Sequence, residues 1–182
     1  ADILFGDYNP SGRLTISFPR VEGQVPIYYN YKKSGRPGDM LHSSTTRHID
    51  VPNAPLYPFG YGLSYTTFSY SAPQSTQKEY TRQETISVSV TVTNTGDRDG
   101  EETVQLYVND KVASVVPVKE LKAFKKIFLK AGESKTVQFD ISPLALGFYD
   151  AAMNYVVEPG EFEIMTGCNS NDLQTISVKL IN

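Results

Sequence analysis

Paired carboxyl groups are the first place to look for chemistry in this sequence. Two of them can divide nucleophilic and acid–base roles when they stand about 5–5.5 Å apart across a pocket. Asp39 and Asp50 flank a polar stretch, and Glu101-Glu102 open an alternating run. Neighbouring residues of a strand point to opposite faces, so Glu101 and Glu102 cannot address one ligand together. All four read as solvated acids at turns and strand edges. His42 and His48 have no Cys or carboxylate at a recognisable metal-ligand spacing. Asp97-x-Asp99-x-Glu101 alternates like a calcium loop but lacks the further ligands of an EF-hand, so it reads as turn chemistry. Cys168 stands alone, which excludes an internal disulfide, and beside Gly167 it reads as small filler. These residues give no catalytic, cofactor-binding or metal-binding assignment.

Aromatic and basic residues form a second set. Tyr28, Tyr29 and Tyr31 stand beside Lys32, Lys33 and Arg36, and aromatic platforms with charged rims suit sugar recognition. The same tyrosines also suit a packed domain junction in which each hydroxyl finds a partner. They open a polar stretch over residues 30–53. A loop beyond roughly 15 residues is usually functional or disordered, so the loop 30–48 is the leading candidate for contact with a ligand. Tyr57, Phe59, Tyr61 and Tyr65 interleave with Pro58, Gly60 and Gly62. Glycine permits close backbone approach and aromatics supply buried area, so this run reads as a staple between domains, with Tyr57 and Phe59 largely buried.

The elements that must position these residues divide near residue 66. Seven of the twelve tyrosines lie in residues 1–65, which show little regular periodicity. Ile3-Leu4-Phe5, Leu14–Phe18 and Val25–Tyr29 are brief apolar runs of the kind found in extended segments at the edge of an α/β domain. Beyond residue 66 the pattern changes. Ile86, Val88, Val90 and Val92 share one face of a period-2 run, and Val104, Leu106 and Val108 share another, with Gln105 and Tyr107 outward. Val137, Phe139 and Ile141, then Phe162 and Ile164, then Ile176, Val178 and Leu180 repeat it. Turn clusters at 94–100, 130–134 and 158–160 separate these runs. About seven strands at this spacing describe an immunoglobulin- or fibronectin-like sandwich. Leu121, Phe124, Ile127 and Phe128 fit helical spacing, but with strands on both sides the stretch 119–130 is assigned as strand.

Composition sets further bounds. A net charge of −3 offers nothing to nucleic acid or an anionic membrane surface. No stretch approaches the roughly 20 apolar residues that span a bilayer, and the opening residues carry no signal peptide.

Several longer motifs carry a family resemblance. Gly6–Leu14 (GDYNPSGRL) and then Phe18-Pro19 resemble the closing stretch of the second domain in family 3 glycoside hydrolases. Pro26–Asn30 and Gly35-Arg36-Pro37 resemble the family's next segment. Pro55–Tyr65 (PLYPFGYGLSY) resembles the entry to its fibronectin type III-like domain. Asn94-Thr95-Gly96, Gly100–Val108, Lys119–Phe124 and Pro159–Phe162 recur in similar order. The branch most similar is that of three-domain bacterial β-glucosidases. The resemblance implies a retaining hydrolase whose nucleophilic aspartate lies on an amino-terminal barrel and whose acid/base glutamate lies upstream of Gly6. Neither has a counterpart here, so no catalytic residue is carried over, and the chain alone is expected to be inactive.

The expected fold is therefore mainly β: a fibronectin type III/immunoglobulin-like β-sandwich over residues 66–182, preceded by an extended remnant of an α/β domain and a linker over residues 1–65. The sandwich core is expected to contain Val88, Val90, Leu106, Phe139, Phe162 and Ile164. Residues 1–65 should pack on the sandwich or pair with another copy, giving a homodimer. The expected partners are the parent's barrel and α/β domains, with carbohydrate met through the parent, no nucleic acid and no membrane. No cofactor is expected, and family analogy points to the periplasm or secretion. The competing reading is an autonomous carbohydrate-binding or adhesive sandwich. The absence of Trp weighs against it, while an exposed coplanar row of tyrosines would favour it.

Overall fold

The computed structural model describes residues 1–33, 35–36, 44–113 and 117–182. The chain opens with a single helical turn, α1 (Asp2–Phe5), where the sequence reads as extended. Eleven strands are present among the described residues: β1 (Phe68–Tyr70), β2 (Gln74–Ser75), β3 (Glu79–Tyr80), β4 (Ile86–Asn94), β5 (Gly100–Asp110), β6 (Glu120–Leu129), β7 (Ser134–Ile141), β8 (Phe148–Tyr149), β9 (Tyr155–Val156), β10 (Gly160–Gly167) and β11 (Leu173–Leu180). Several are only two or three residues long. The long strands account for the runs visible in the sequence.

Two sheets face each other. In one, β4 pairs along its whole length with β7, while β1 and β2 share its other edge. In the other, the order is β3-β11-β10-β5-β6, antiparallel except for the parallel β3–β11 contact. The strict alternation of β4 buries Ile86, Val88, Val90 and Val92 and leaves the Ser and Thr between them half-buried. All six expected core residues are buried, joined by Tyr80, Leu129, Val178 and Leu180. At roughly 1.5–3 kcal/mol for each large apolar side chain fully buried, this core supplies the main drive to fold.

The 119–130 stretch is strand β6, antiparallel to β5. Its helix-like spacing arises because both faces of the edge strand carry apolar residues. Ala123 and Ile127 pack on the core, whereas Phe124 and Phe128 stand exposed on the outside. The reversal at 94–100 is clamped by the fully buried Asn94. Its amide donates to the carbonyls of Arg98 (2.7 Å) and Leu129 (3.2 Å), and its oxygen accepts from the Thr66 hydroxyl (2.6 Å) and the Gly96 N–H (3.1 Å).

One strand departs from simple alternation. Every residue of β5 from Val104 to Asn109 is buried. Gln105 and Tyr107, outward by parity, are covered by residues 1–65, so outward on this sheet does not mean solvated. This segment rests on the sandwich, the first of the two placements expected for it.

Candidate functional site

The contact between residues 1–65 and strand β5 of the five-stranded sheet concentrates the chain's buried polar chemistry. Residues 14–18 run antiparallel to 56–61. Leu14 donates to the Tyr61 carbonyl and Gly60 back to Leu14, each at 2.8 Å, and Phe18 pairs with Tyr57. This two-limbed strap lies across β5, which the glycine-rich spacing makes possible. Gly60 has φ +81°, a region L side chains avoid, and any Cβ there would strike the Gln105 side chain.

Two polar knots hold the strap. In the first, the Arg13 guanidinium is ion-paired with Glu102, whose other oxygen accepts from the Tyr70 hydroxyl at 2.7 Å. Next to it, Ser11 and Lys126 both bond Glu101 Oε2, at 3.0 and 2.7 Å. Glu102 is 1% exposed. Burial pushes its carboxyl above the ordinary range, opposed by the Arg13 charge and the Tyr70 hydroxyl. Burial also raises the Tyr70 hydroxyl. A buried ion pair contributes little net stability, but losing one partner leaves a charge in low dielectric.

In the second knot, Tyr107 donates to Gln105 Oε1 at 2.5 Å, and the Gln105 amide donates to the carbonyls of Gly60 (3.2 Å) and Cys168 (2.6 Å). Ser170 N–H reaches the Phe59 carbonyl at 2.9 Å, and Lys119 Nζ caps the Ser170 carbonyl at 2.5 Å. Burial holds the Lys119 ammonium below its usual range. Over this knot Tyr29 stacks on Phe59, with centroids 4.3 Å apart, and meets Tyr107 edge-on at 5.8 Å. The Tyr29 hydroxyl accepts from Leu121 N–H at 3.2 Å.

The residues singled out in the sequence divide accordingly. Tyr29 and Phe59 sit in the junction, Phe59 half-buried. Tyr57 is a correction to the staple reading: it is 39% exposed, because its ring contacts lie within the strap, where it stacks on Tyr61 (5.0 Å) and meets Phe18 edge-on. Tyr65 is exposed and bonds the Ile3 carbonyl. Tyr28, Tyr31, Lys32, Lys33 and Arg36 are exposed, although Tyr31 and Lys32 bridge to Val118 and Pro117. Asp39 and His42, with residues 37–43 of the loop 30–48, lie outside the described residues. Asp50 is exposed and His48 half-buried. Asp99 Oδ1 accepts from Ala131 N–H at 2.9 Å, which accounts for it as a turn acid.

Glu102 is the second correction: it is buried and ion-paired rather than solvated. A signal for it was present, since Glu102 shares parity with Val104 and Leu106, and a charge on a core face requires a partner. Nothing local marked Arg13, 89 residues away, as that partner. Cys168 is half-buried with its thiol pushed up to about 11, chiefly by burial, which disfavours a reactive thiolate.

Comparison with known proteins gives a consistent result. Residues 1–65 match the model of the glycosyl hydrolase family 3 C-terminal domain, and residues 102–170 match that of the fibronectin type III-like domain. The chain is 48% identical over 184 residues to a periplasmic β-glucosidase of Salmonella typhimurium and 46% identical over 181 residues to a β-xylosidase of Formosa agariphila. The matches take in 100% and 98% of this chain and 24% of each relative. The crystal structure of a Listeria innocua β-glucosidase in complex with glucose superposes with a TM-score of 0.94 at 42% identity, covering 100% of this chain and 26% of that one. The chain thus spans about a quarter of the length of the relatives it matches.

Proposed function

The chain belongs to glycoside hydrolase family 3, as the counterpart of its C-terminal region, and from this premise we propose that it is a non-catalytic module bracing the hydrolytic domains of a β-glucosidase-like enzyme. Residues 1–65 complete the second, α/β domain and carry the linker, and residues 66–182 form the sandwich. The parent releases terminal β-linked sugars with retention, using a nucleophilic carboxylate and a carboxyl that acts as acid and then base. Both belong to the barrel and α/β domains, the partners of this module. A periplasmic or secreted location accords with the Salmonella relative's name.

One observation carries this reading: residues 1–65 contain two unlike sets of side chains. One set is tied to the sheet by Arg13–Glu102, Gln105–Gly60 and the Tyr29–Phe59–Tyr107 cluster. The other exposes Leu4 (84%), Phe5 (82%), Ile49 (88%) and Leu63 (67%). Exposed apolar groups gathered in one segment mark a surface that another body covers. The parent's preceding domains are that body in this reading, and a second copy of the chain is the competing occupant. The sandwich's own exposed tyrosines, Tyr149 and Tyr155, meet at 65° rather than as a flat strip, which gives the carbohydrate-binding alternative no specific support.

Deleting residues 66–182 from the parent tests the brace. Tm and aryl β-glucoside hydrolysis are expected to fall together, and the 182-residue chain alone is expected to release no aglycone. A parent that keeps both Tm and kcat without the sandwich would overturn the reading. Sedimentation of the chain across a concentration series reports whether a second copy covers the apolar side instead.

A further inference from the structure

Beyond β7, residues 143–157 fold into a single 3-10 turn (Pro143–Leu146) and the β8–β9 hairpin, a two-stranded sheet separate from the two large ones. Buried Leu146 and the packing of Val157 anchor this segment to the core. Its other large side chains face water: Leu144, Tyr149, Met153 and Tyr155 are all at least half exposed. They are held in place rather than loose. Tyr155 donates its hydroxyl to the Leu144 carbonyl at 2.7 Å and meets the Tyr149 ring at 65°, with centroids 5.1 Å apart. The Asp150 carboxylate closes the turn by accepting from the N–H groups of Ala152 (2.9 Å) and Asn154 (2.8 Å). Met153 has φ +64°, a conformation that Gly or Asn adopts at lower cost. The hairpin therefore holds a bulky apolar side chain where local geometry disfavours one, and residues that break a local rule in this way cluster at functional surfaces.

We propose that this hairpin is a two-fold contact between copies of the chain, each copy seating Leu144 and Met153 against the two tyrosine rings of the other. An isologous contact needs knob and notch on one surface. The angled rings supply the notch, and methionine packs well against aromatic edges. Charge points the same way. Asp150 is the one charged residue in 143–157, so a charged partner finds almost nothing to pair with, whereas two copies meet apolar on apolar. Area sets the strength. Four such side chains present on the order of 500 Å², the size of patch that marks an interaction site on a monomer. Doubled across a two-fold axis this reaches about 1,000 Å², the lower bound for a specific interface, so the dimer is weak. Position separates this contact from the surface given above to the parent's preceding domains. Residues 6–9 are bound at the 94–100 reversal, through Arg98 to the Gly6 carbonyl and Asn9 to the Asp99 carbonyl. That reversal follows the Thr93–Ser134 end of the β4–β7 ladder, and the hairpin follows its Ile86–Ile141 end, roughly 20 Å away.

Sedimentation equilibrium of the 182-residue chain tests the contact without any turnover, and so apart from the hydrolase reading. A monomer–dimer equilibrium with a Kd of about 100 μM is expected. Met153→Asn suits the positive φ, and Leu144→Lys sets like charges across the axis. Each should weaken the dimer at least about tenfold and leave Tm unchanged or raised, which confirms folding. Phe5→Ser, in the strap, should leave association as it is. A chain still monomeric at about 1 mM, or oligomers larger than the dimer, would overturn the proposal. So would association that is lost in Phe5→Ser and kept in Leu144→Lys, which would place the contact on residues 1–65. In the parent enzyme, Leu144→Lys is expected to separate the copies with kcat and Tm unchanged. A monomeric parent whose Tm falls with Leu144→Lys would show that its own domains cover the hairpin, and would also overturn the two-fold contact.

Discussion

The sandwich and the strap solve the problem of burial in opposite ways. The sandwich closes on itself: alternating strands bring Val88, Val90, Leu106, Phe139, Phe162 and Ile164 into one core. The strap has no such core. Its backbone folds into a short ladder, its order comes from polar and aromatic contacts with β5, and its large apolar side chains point largely into solvent. Of the large hydrophobic residues exposed among those described, most belong to the first 65 residues. A segment with this balance cannot offset its own conformational entropy, so it depends on the sandwich beneath it and, in the proposed reading, on the domains before it.

Substitutions in the two regions should therefore behave differently. The largest loss is expected in the core, where Phe162→Ala should cost about 3–5 kcal/mol in denaturant unfolding and disorder the whole chain. A loss below about 1 kcal/mol would show that the sandwich does not hold itself together as described. Arg13→Met comes next, at about 3 kcal/mol, because it leaves Glu102 buried without its counter-charge. Unlike the core variant, it should free the strap to proteolysis while the sandwich remains folded.

That variant also carries a pH signature. Burial raises the folded Glu102 carboxyl above its unfolded value, so stability from this group is present below the unfolded value and is lost as pH rises through the folded one. With Arg13 absent the rise is larger. The deficit of Arg13→Met relative to wild type is therefore expected to be smaller near about pH 5 than near about pH 8, as read from paired unfolding curves. A constant deficit would mean that Glu102 is not the group left exposed to the low dielectric.

Smaller effects sharpen the boundary between the regions. Tyr107→Phe removes one hydrogen bond in the second knot and should cost about 1 kcal/mol, with faster hydrogen exchange at Gly60 and Ser170 as its local sign. Glu79→Gln, which breaks an exposed pair with Lys179 at 3.6 Å, should change stability by less than about 0.5 kcal/mol.

The legibility of the molecule divides along the same line. Period-2 alternation is a local property, so β4, β5, β7, β10 and β11 and the side chains they bury could be read from residue order. Even β6 yielded once its neighbours were weighed against its helix-like spacing. The strap could not be read this way. Ile3-Leu4-Phe5 looks extended but closes a helical turn, and Tyr57 looks like a buried staple but stands exposed, stacked on Tyr61. Tyr107 looks solvated by parity, yet the strap covers it.

What residue order by itself determined, then, was the sandwich, its core and, through motifs such as GDYNPSGRL and PLYPFGYGLSY, the kinship with a hydrolase family. Only the tertiary structure decided which polar groups are buried and how, because the counter-charge of Glu102 and the cover over Gln105 and Tyr107 come from a second layer of chain tens of residues away. Local alternation specifies which face a side chain takes, and what covers that face is a long-range fact.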